Sequence, residues 1–296
     1  MTSGILNINK PAGWTSFDVV AFVRRRAGVK RAGHAGTLDP FAEGVLPVCL
    51  GQATRVIEYL MDARKEYRAV VRLGRETDTY DITGTVLREA DASGVTREQF
   101  EEVLQKYEGE IMQRPPPFSA IKREGVPLYR LARAGQAVEA EPRPVRIYRI
   151  AVTLFEPPLA GFEVECGKGT YVRSLAHDIG RDLGVGGSLE SLVRTRVGPF
   201  SLEKAAGIET LRSEFETGDW VERLAAPDEV LLDLPAAVFG EENERRVRNG
   251  MAPRLAVAAG GASGRIRAYT CGGDFLAVMH VDAPAVWRPE KVFASG

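Results

Sequence analysis

Helix-like and strand-like stretches alternate along this chain without a steady β–α–β rhythm, and that irregularity argues against a doubly wound parallel sheet. Ile5-Leu6-Asn7-Ile8-Asn9 alternates apolar and polar residues, as a half-buried strand does. Thr15 or Ser16 then opens a helix to about Ala27, with Phe17, Val20, Ala21 and Val23 at helical spacing. Residues 31–44 are rich in glycine and read as a loop. Residues 45–50, 67–73, 85–88, 145–155 and 162–166 read as strands, and residues 52–63, 96–107 and 171–183 as helices. Thr96 with Gln99 forms the pattern of a capping box. The expected class is α+β with a mixed, largely antiparallel sheet.

Two regions depart from this texture. Arg114-Pro115-Pro116-Pro117-Phe118 cannot lie inside a helix, because proline lacks the amide donor and clashes with the preceding turn. Gly125 and Pro127 follow, then a short helix over 128–134 closed by Gly135, so residues 113–145 read as an excursion from the sheet. Beyond residue 230, Leu231-Leu232-Asp233-Leu234-Pro235 reads as a linker strand. A polar helix over 241–249 and brief strands at 254–258, 265–271, 275–281 and 286–293 follow, the pattern of a small β-barrel. The expected organisation is a domain over 1–230, with the excursion at about 113–145, and a second domain over 231–296.

Composition narrows the class further. The 296 residues are 44 % hydrophobic and 27 % charged, which fits a globular chain and excludes a disordered or collagenous one. No apolar run reaches the roughly 18 residues of a membrane helix, and Met1–Leu6 lacks the basic and apolar regions of a secretion signal. Cys49, Cys166 and Cys271 stand alone, which argues against a disulfide framework and fits a reducing cytoplasm. No two of His34, His177 and His280 have metal-ligand spacing, so no metal site is expected. The net charge of −1 hides an uneven distribution: residues 111–150 hold eight basic against three acidic residues, and residues 81–110 the reverse. That pattern suits either a phosphate-binding face or two solvated faces of opposite sign.

The most informative string is Gly33-His34-Ala35-Gly36-Thr37-Leu38-Asp39-Pro40-Phe41-Ala42-Glu43-Gly44. Pro40 holds Asp39 on extended backbone. Local composition alone allows either an Asx-turn aspartate or a reacting carboxylate. Taken by themselves, Arg173 suits a surface helix and Tyr67, Tyr171 and Leu192 suit a core.

The whole string closely resembles the signature loop of the TruB-type pseudouridine synthases. Lys10-Pro11-Ala12-Gly13 with Ser16, Lys65-Glu66-Tyr67, and Thr77-Asp78-Thr79-Tyr80-Asp81 with Gly84 match the family's motifs in order. So do Arg114-Pro115-Pro116 with Ser119-Ala120 and Lys122, Lys168-Gly169-Thr170-Tyr171-Val172-Arg173-Ser174-Leu175, Asp178-Ile179-Gly180, and Leu192 with Arg194-Thr195. Val193 is a departure, since many relatives carry arginine there. The resemblance implies a sheet of the pseudouridine synthase type, a thumb formed by the excursion, and a C-terminal PUA-like barrel. It also implies isomerisation of uridine-55 in the tRNA T-loop. That reaction breaks N1–C1′ and rejoins C1′ to C5, so it needs no cofactor.

By the same resemblance Asp39 is the nucleophile, with attack at C1′, attack at C6 and proton removal from C2′ all open. Arg173 pairs with Asp39, and Tyr67 stacks on the target base and relays the C5 proton. Lys10, His34, Tyr171 and Leu192 form the substrate-binding set. Within it, Lys10 supports the active-site loops and His34 fills the stack that the extruded base leaves. Lys122, Arg123, Arg130 and Arg133 of the thumb face tRNA phosphates. Arg245, Arg246 and Arg248 touch the tRNA, unless the C-terminal domain is a structural cap. The implied partner is the tRNA T-arm, met by a cytoplasmic monomer that needs no protein partner and no membrane. An RNA-binding protein without catalysis and an enzyme working in a guide-RNA complex are the rival readings.

Overall fold

The computed structural model describes residues 2–119, 121–123, 125–134, 140–254, 264–283 and 286–293. The first strands are β1 (Gly4–Lys10), β2 (Ala32–His34), β3 (Glu43–Leu50) and β4 (Lys65–Leu73), followed by a hairpin of β5 (Arg75–Thr77) and β6 (Val86–Glu89). Next come β7 (Gly109–Gln113), the small pair β8 (Lys122–Arg123) and β9 (Val126–Pro127), and the long β10 (Arg143–Glu156) and β11 (Leu159–Cys166). Then β12 (Gly187–Val197), β13 (Phe200–Ser201) and β14 (Ala206–Gly207) return to the centre. One sheet runs β14-β1-β3-β12-β4-β11-β10-β7, with β2 beside β3 and β13 beside β12. Its pairs are antiparallel except β1 with β14 and β3 with β12. The expected α+β class with a mixed, largely antiparallel sheet is the one found.

Strand β4 shows why the sheet forms. Lys65, Tyr67, Ala69, Val71 and Leu73 are buried while Glu66, Arg68, Val70 and Arg72 stay more open, the two-residue period of a sheet with one covered face. The helices are α1 (Ser16–Arg26), α2 (Ile57–Asp62), α3 (Arg97–Gln105), α4 (Leu128–Arg133), α5 (Val172–Asp182) and α6 (Ile208–Thr217). Phe100 and Leu104 of α3 and Leu175 and Ile179 of α5 share one core with Ala69, Val71 and Phe162 of the sheet. Val19 and Val23 of α1 and Leu211 of α6 share another with Leu6, Ile8 and Leu46. Each such leucine, isoleucine or phenylalanine contributes about 1.5–3 kcal/mol by leaving water. Helix α5 lies tight on β12 because Gly180 has no side chain: a Cβ there would stand 2.2 Å from the Gly187 amide nitrogen. Thr96 and Gln99 close the expected capping box at the start of α3.

Three expectations change. Residues 52–63 split into a 3₁₀ turn, Gly51–Val56, and then α2. Residues 187–197, without a clear pattern in the sequence, form the strand at the centre of the sheet. The linker strand is displaced: Pro227–Leu231 makes a 3₁₀ turn and β15 (Ala236–Phe239) begins only after Pro235.

The excursion is closed at its base, where Arg143 of β10 pairs with Gln113 of β7. Within it, β8, β9 and α4 make a small hairpin and helix. At the C-terminal end, β15, β16 (Arg265–Thr270), β17 (Phe275–Ala283) and β18 (Val286–Val292) pair in that order. Among the described residues this is an open four-stranded sheet, not the closed barrel expected, and most of the strand expected at 254–258 falls outside those residues. Helix α7 (Glu241–Arg248) seals the sheet by placing Val247 among Phe239, Ile266, Leu276, Met279 and Trp287. The sheet leans on the rest of the chain through Val278 and Phe293, which share a core with Ile5, Phe200 and Leu231.

Candidate active site

The loop carrying Asp39 is fastened on both sides. Thr15 and Asp18 form a capping box that starts α1, worth about 1 kcal/mol for the cap itself. It presents Ser16, whose Oγ accepts from the Leu38 amide at 2.9 Å and donates to the Leu38 carbonyl at 3.2 Å. Lys10 is fully buried. Its Nζ donates to the carbonyls of Pro11, Trp14 and Pro40 at 2.8, 2.7 and 3.2 Å. All three ammonium protons are spent on backbone, so Lys10 ties residues 11–14 to the residue after Asp39 and has none left for a ligand. Burial pulls its pKa down to about 8, with Glu43 and Asp39 opposing.

From the other side comes Arg194 of β12, also buried. Its Nε donates to the Val45 carbonyl at 2.7 Å and its Nη2 to the Gly36 carbonyl at 3.1 Å. This close approach requires glycine at position 44, where φ is +105° and a Cβ would stand 2.2 Å from the Arg194 carbonyl oxygen. Tyr67 pairs with Arg194 across β4 and β12, and Leu192 with Ala69, so all four share one sheet face. The Tyr67 phenol is buried beside the Arg194 guanidinium, and burial raises its pKa, so the group is neutral near pH 7.

Arg173 reaches the loop from the first turn of α5. The start of that helix is held by Gln113, whose side-chain amide takes the Tyr171 N–H at 2.8 Å and gives to the Tyr171 carbonyl at 3.1 Å. Ser174 adds a bond to the Arg114 carbonyl at 2.7 Å. The Arg173 Nη2 donates to Asp39 Oδ1 at 3.3 Å, and Nε lies 2.9 Å from Oδ2 with its N–H off the line of a hydrogen bond. The remaining donors bind the carbonyls of Thr79 and Phe118, both at 3.0 Å. Asp81 stands 3.5 Å from Nη1 and is itself held by Thr79 Oγ1 and the Thr83 amide.

One guanidinium thus serves two carboxylates. The Asp81 side chain is 4 % exposed and that of Asp39 is 35 % exposed, so Asp39 is the one a substrate can touch. Burial raises the Asp39 pKa and Asp81 adds to that, while Arg173 and Lys10 pull it back. A carboxylate held this way is fixed in direction yet accessible.

A second contact secures the loop that carries Thr79 and Asp81. Tyr80 sits at φ +65°, an uncommon conformation for a residue with a side chain. Its ring stacks on His177 at 3.9 Å and 9°. His177 is one turn after Arg173 on the same face of α5.

The other candidates divide. His34 ends β2, half-buried, with Nδ1 buried and unpartnered and its pKa lowered by burial. Tyr171 caps α5 with the Arg143 guanidinium 5.5 Å from its ring centre. On the thumb Arg130 is exposed, and the side chains of Lys122, Arg123 and Arg133 lie outside the described residues. On α7 Arg245 is exposed. Arg246 donates to the Ala252 carbonyl, and Arg248 to Glu244 and the Phe293 carbonyl, so both hold their own domain together. Asp81, Arg194 and Gln113 are site-building residues to which sequence reasoning assigns no role, although Asp81 and Arg194 stand inside recognised motifs.

Comparison with known proteins agrees with this geometry. Residues 24–172 match the family model for the TruB family pseudouridylate synthase N-terminal domain, and residues 173–238 that for the tRNA pseudouridylate synthase B C-terminal domain. The chain is 42 % identical over 293 residues to the tRNA pseudouridine synthase B of Dehalococcoides mccartyi strain 195, covering 99 % of this chain and 97 % of that protein. It is 50 % identical over 255 residues to that of Symbiobacterium thermophilum, covering 85 % and 83 %. Among solved structures, one from a Cbf5-Nop10-Gar1 complex superposes with a TM-score of 0.74 at 29 % identity, over 98 % of this chain and 85 % of that one. With matching motifs, a matching sheet and relatives alike from end to end, the chain belongs to the TruB family of pseudouridylate synthases.

Proposed function

We propose that the chain converts uridine-55 in the T-loop of tRNA to pseudouridine, with Asp39 as the nucleophile. The observation that carries this reading is the Asp39–Arg173 pair: a third-exposed carboxylate held by a guanidinium that four further backbone and side-chain oxygens or helix contacts keep in place. The isomerisation exchanges an N1–C1′ bond for a C5–C1′ bond and moves one proton from C5 to N1. No electrons are gained or lost overall, so a nucleophile and a proton relay suffice. Tyr67, a neutral phenol beside Asp39's cluster, stacks on the base and relays the C5 proton. Tyr171 and Leu192 line the pocket, Lys10 holds the loop from beneath, and His34 fills the gap left by the extruded base.

Lys122, Arg123, Arg130 and Arg133 of a thumb at about 113–145 meet phosphates of the T-arm. The catalytic domain spans 1–230 and an RNA-binding domain 231–296, where Arg245 is the best placed of the three arginines to touch the tRNA. The enzyme acts as a cytoplasmic monomer without an obligatory protein partner, since the whole Asp39 cluster comes from one chain. The relatives at 42 % and 50 % identity favour free tRNA over a guide-RNA assembly, the setting of the 29 % identical neighbour.

Asp39→Asn keeps the shape and removes the reacting charge. Tritium release from a C5-tritiated T-arm is expected to fall by about a thousandfold or more, with RNA affinity within a few fold of the parent. Turnover within about tenfold of the parent would remove Asp39 from the chemistry.

A further inference from the structure

Most arginines of the main domain are neutralised by a neighbour. Arg64, Arg68, Arg72, Arg75 and Arg88, for example, each stand within 3.3 Å of a glutamate carboxylate. Arg24, Arg25, Arg26, Lys30 and Arg31 are different. All five are exposed, residues 19–38 contain no aspartate or glutamate, and among the described residues none of the five side chains makes an ion pair or hydrogen bond. Part of this has a local cause, because three cations in the last turn of α1 suit the negative end of the helix dipole. That cause ends with the helix at Ala27 and does not reach Lys30 and Arg31.

The position of the cluster gives it a second meaning. The start of α1 is bonded to Leu38, beside Asp39. The helix then runs eleven residues, about 16 Å, away from the site to the cations. From Arg31 the chain returns along β2, only three residues or roughly 10 Å, to His34. The cations therefore sit at the outer end of the rigid segment whose inner end is the reactive loop.

We propose that this five-cation surface grips the phosphates of the RNA strand a few nucleotides from the base being isomerised. It is a phosphate-binding surface separate from the thumb and from α7. This rests on the RNA reading above. Long unpaired cations suit such a role, since phosphate contacts position a strand without reading its sequence. Five uncompensated charges also repel one another until a polyanion arrives.

The test replaces all five with glutamine and measures affinity for a T-arm hairpin across a potassium chloride series. With three to five phosphates released, the slope of log affinity against log salt flattens by about 2 to 4. The loss is equal on a hairpin of scrambled loop sequence. The melting temperature stays at the parental value, and a variant with the four arginines changed to lysine keeps the parental slope. Parallel slopes for the parent and the glutamine variant would overturn the proposal. So would parallel RNA slopes with lost binding to phosphatidylserine vesicles, which would assign the surface to lipid. If the parent shows the steep slope and the variant the shallow one, yet the parent makes no pseudouridine, the isomerase reading fails and the phosphate surface stands.

Discussion

The Asp39 cleft and the basic end of α1 lie at opposite ends of one helix and treat charge in opposite ways. In the cleft each ionised side chain is bound several times over: Lys10 by three carbonyls, Arg173 by two carboxylates and two carbonyls, Arg194 by two carbonyls. At the end of α1 five exposed cations bind nothing within the described residues. The difference follows from what each region must do. A reacting carboxylate has to stand in one place before the substrate arrives, because misplacement by about 1 Å costs orders of magnitude in rate. A phosphate contact gains from reach and freedom, and the displaced counterions supply its free energy.

The first way to break this comparison is to loosen the cleft while keeping its charge. Arg173→Lys leaves a cation near Asp39 but removes the planar fork that reaches Asp39, Thr79, Phe118 and Asp81 together. The rate constant at saturating RNA is expected to fall about a hundredfold, with a fall of a few degrees in melting temperature. A collapse of folding with the activity would make Arg173 a structural residue first. A rate within about threefold of the parent would show that charge alone suffices and that the fixed geometry of the cleft is incidental.

A smaller effect tests whether the support reaches beyond direct contacts. The Tyr80–His177 stack holds the loop of Thr79 and Asp81 against α5, and such stacks contribute about 0.5–1.5 kcal/mol. His177→Ala and Tyr80→Gly are each expected to lower kcat about three- to tenfold with KM unchanged. Tyr80→Phe and His177→Phe, which keep a ring in place, restore it. Equal losses in all four variants, or losses in KM alone, would mean that the stack does not position Arg173.

The parts of this account differ in how far they could be read from residues alone. The class of the fold was legible because β4 and the first strand alternate cleanly and α3 carries both halves of its capping box. The central strand β12 was not legible. Register shifts between Leu189 and Ser191 and between Arg194 and Arg196 break the two-residue period, and a buried arginine stands where a core residue is expected. The C-terminal strands announced themselves by their turns, but closure into a barrel depends on hydrogen bonds between distant edges, which no local pattern encodes. Asp39 and Arg173 were legible through their motifs. Asp81 and Arg194 were quoted in the same motifs without a role, because their importance lies in carbonyls and carboxylates far along the chain. The five cations of α1 resemble any solvated helix end until the structure shows that nothing neutralises them.

The most direct test of the central claim uses the purified chain with no added cofactor and excess EDTA, acting on full-length tRNA tritiated at C5 of its uridines. The account predicts release of one tritium per tRNA, matched by a single pseudouridine that maps to position 55. Absence of release, or release matched by pseudouridine elsewhere in the tRNA, would contradict it.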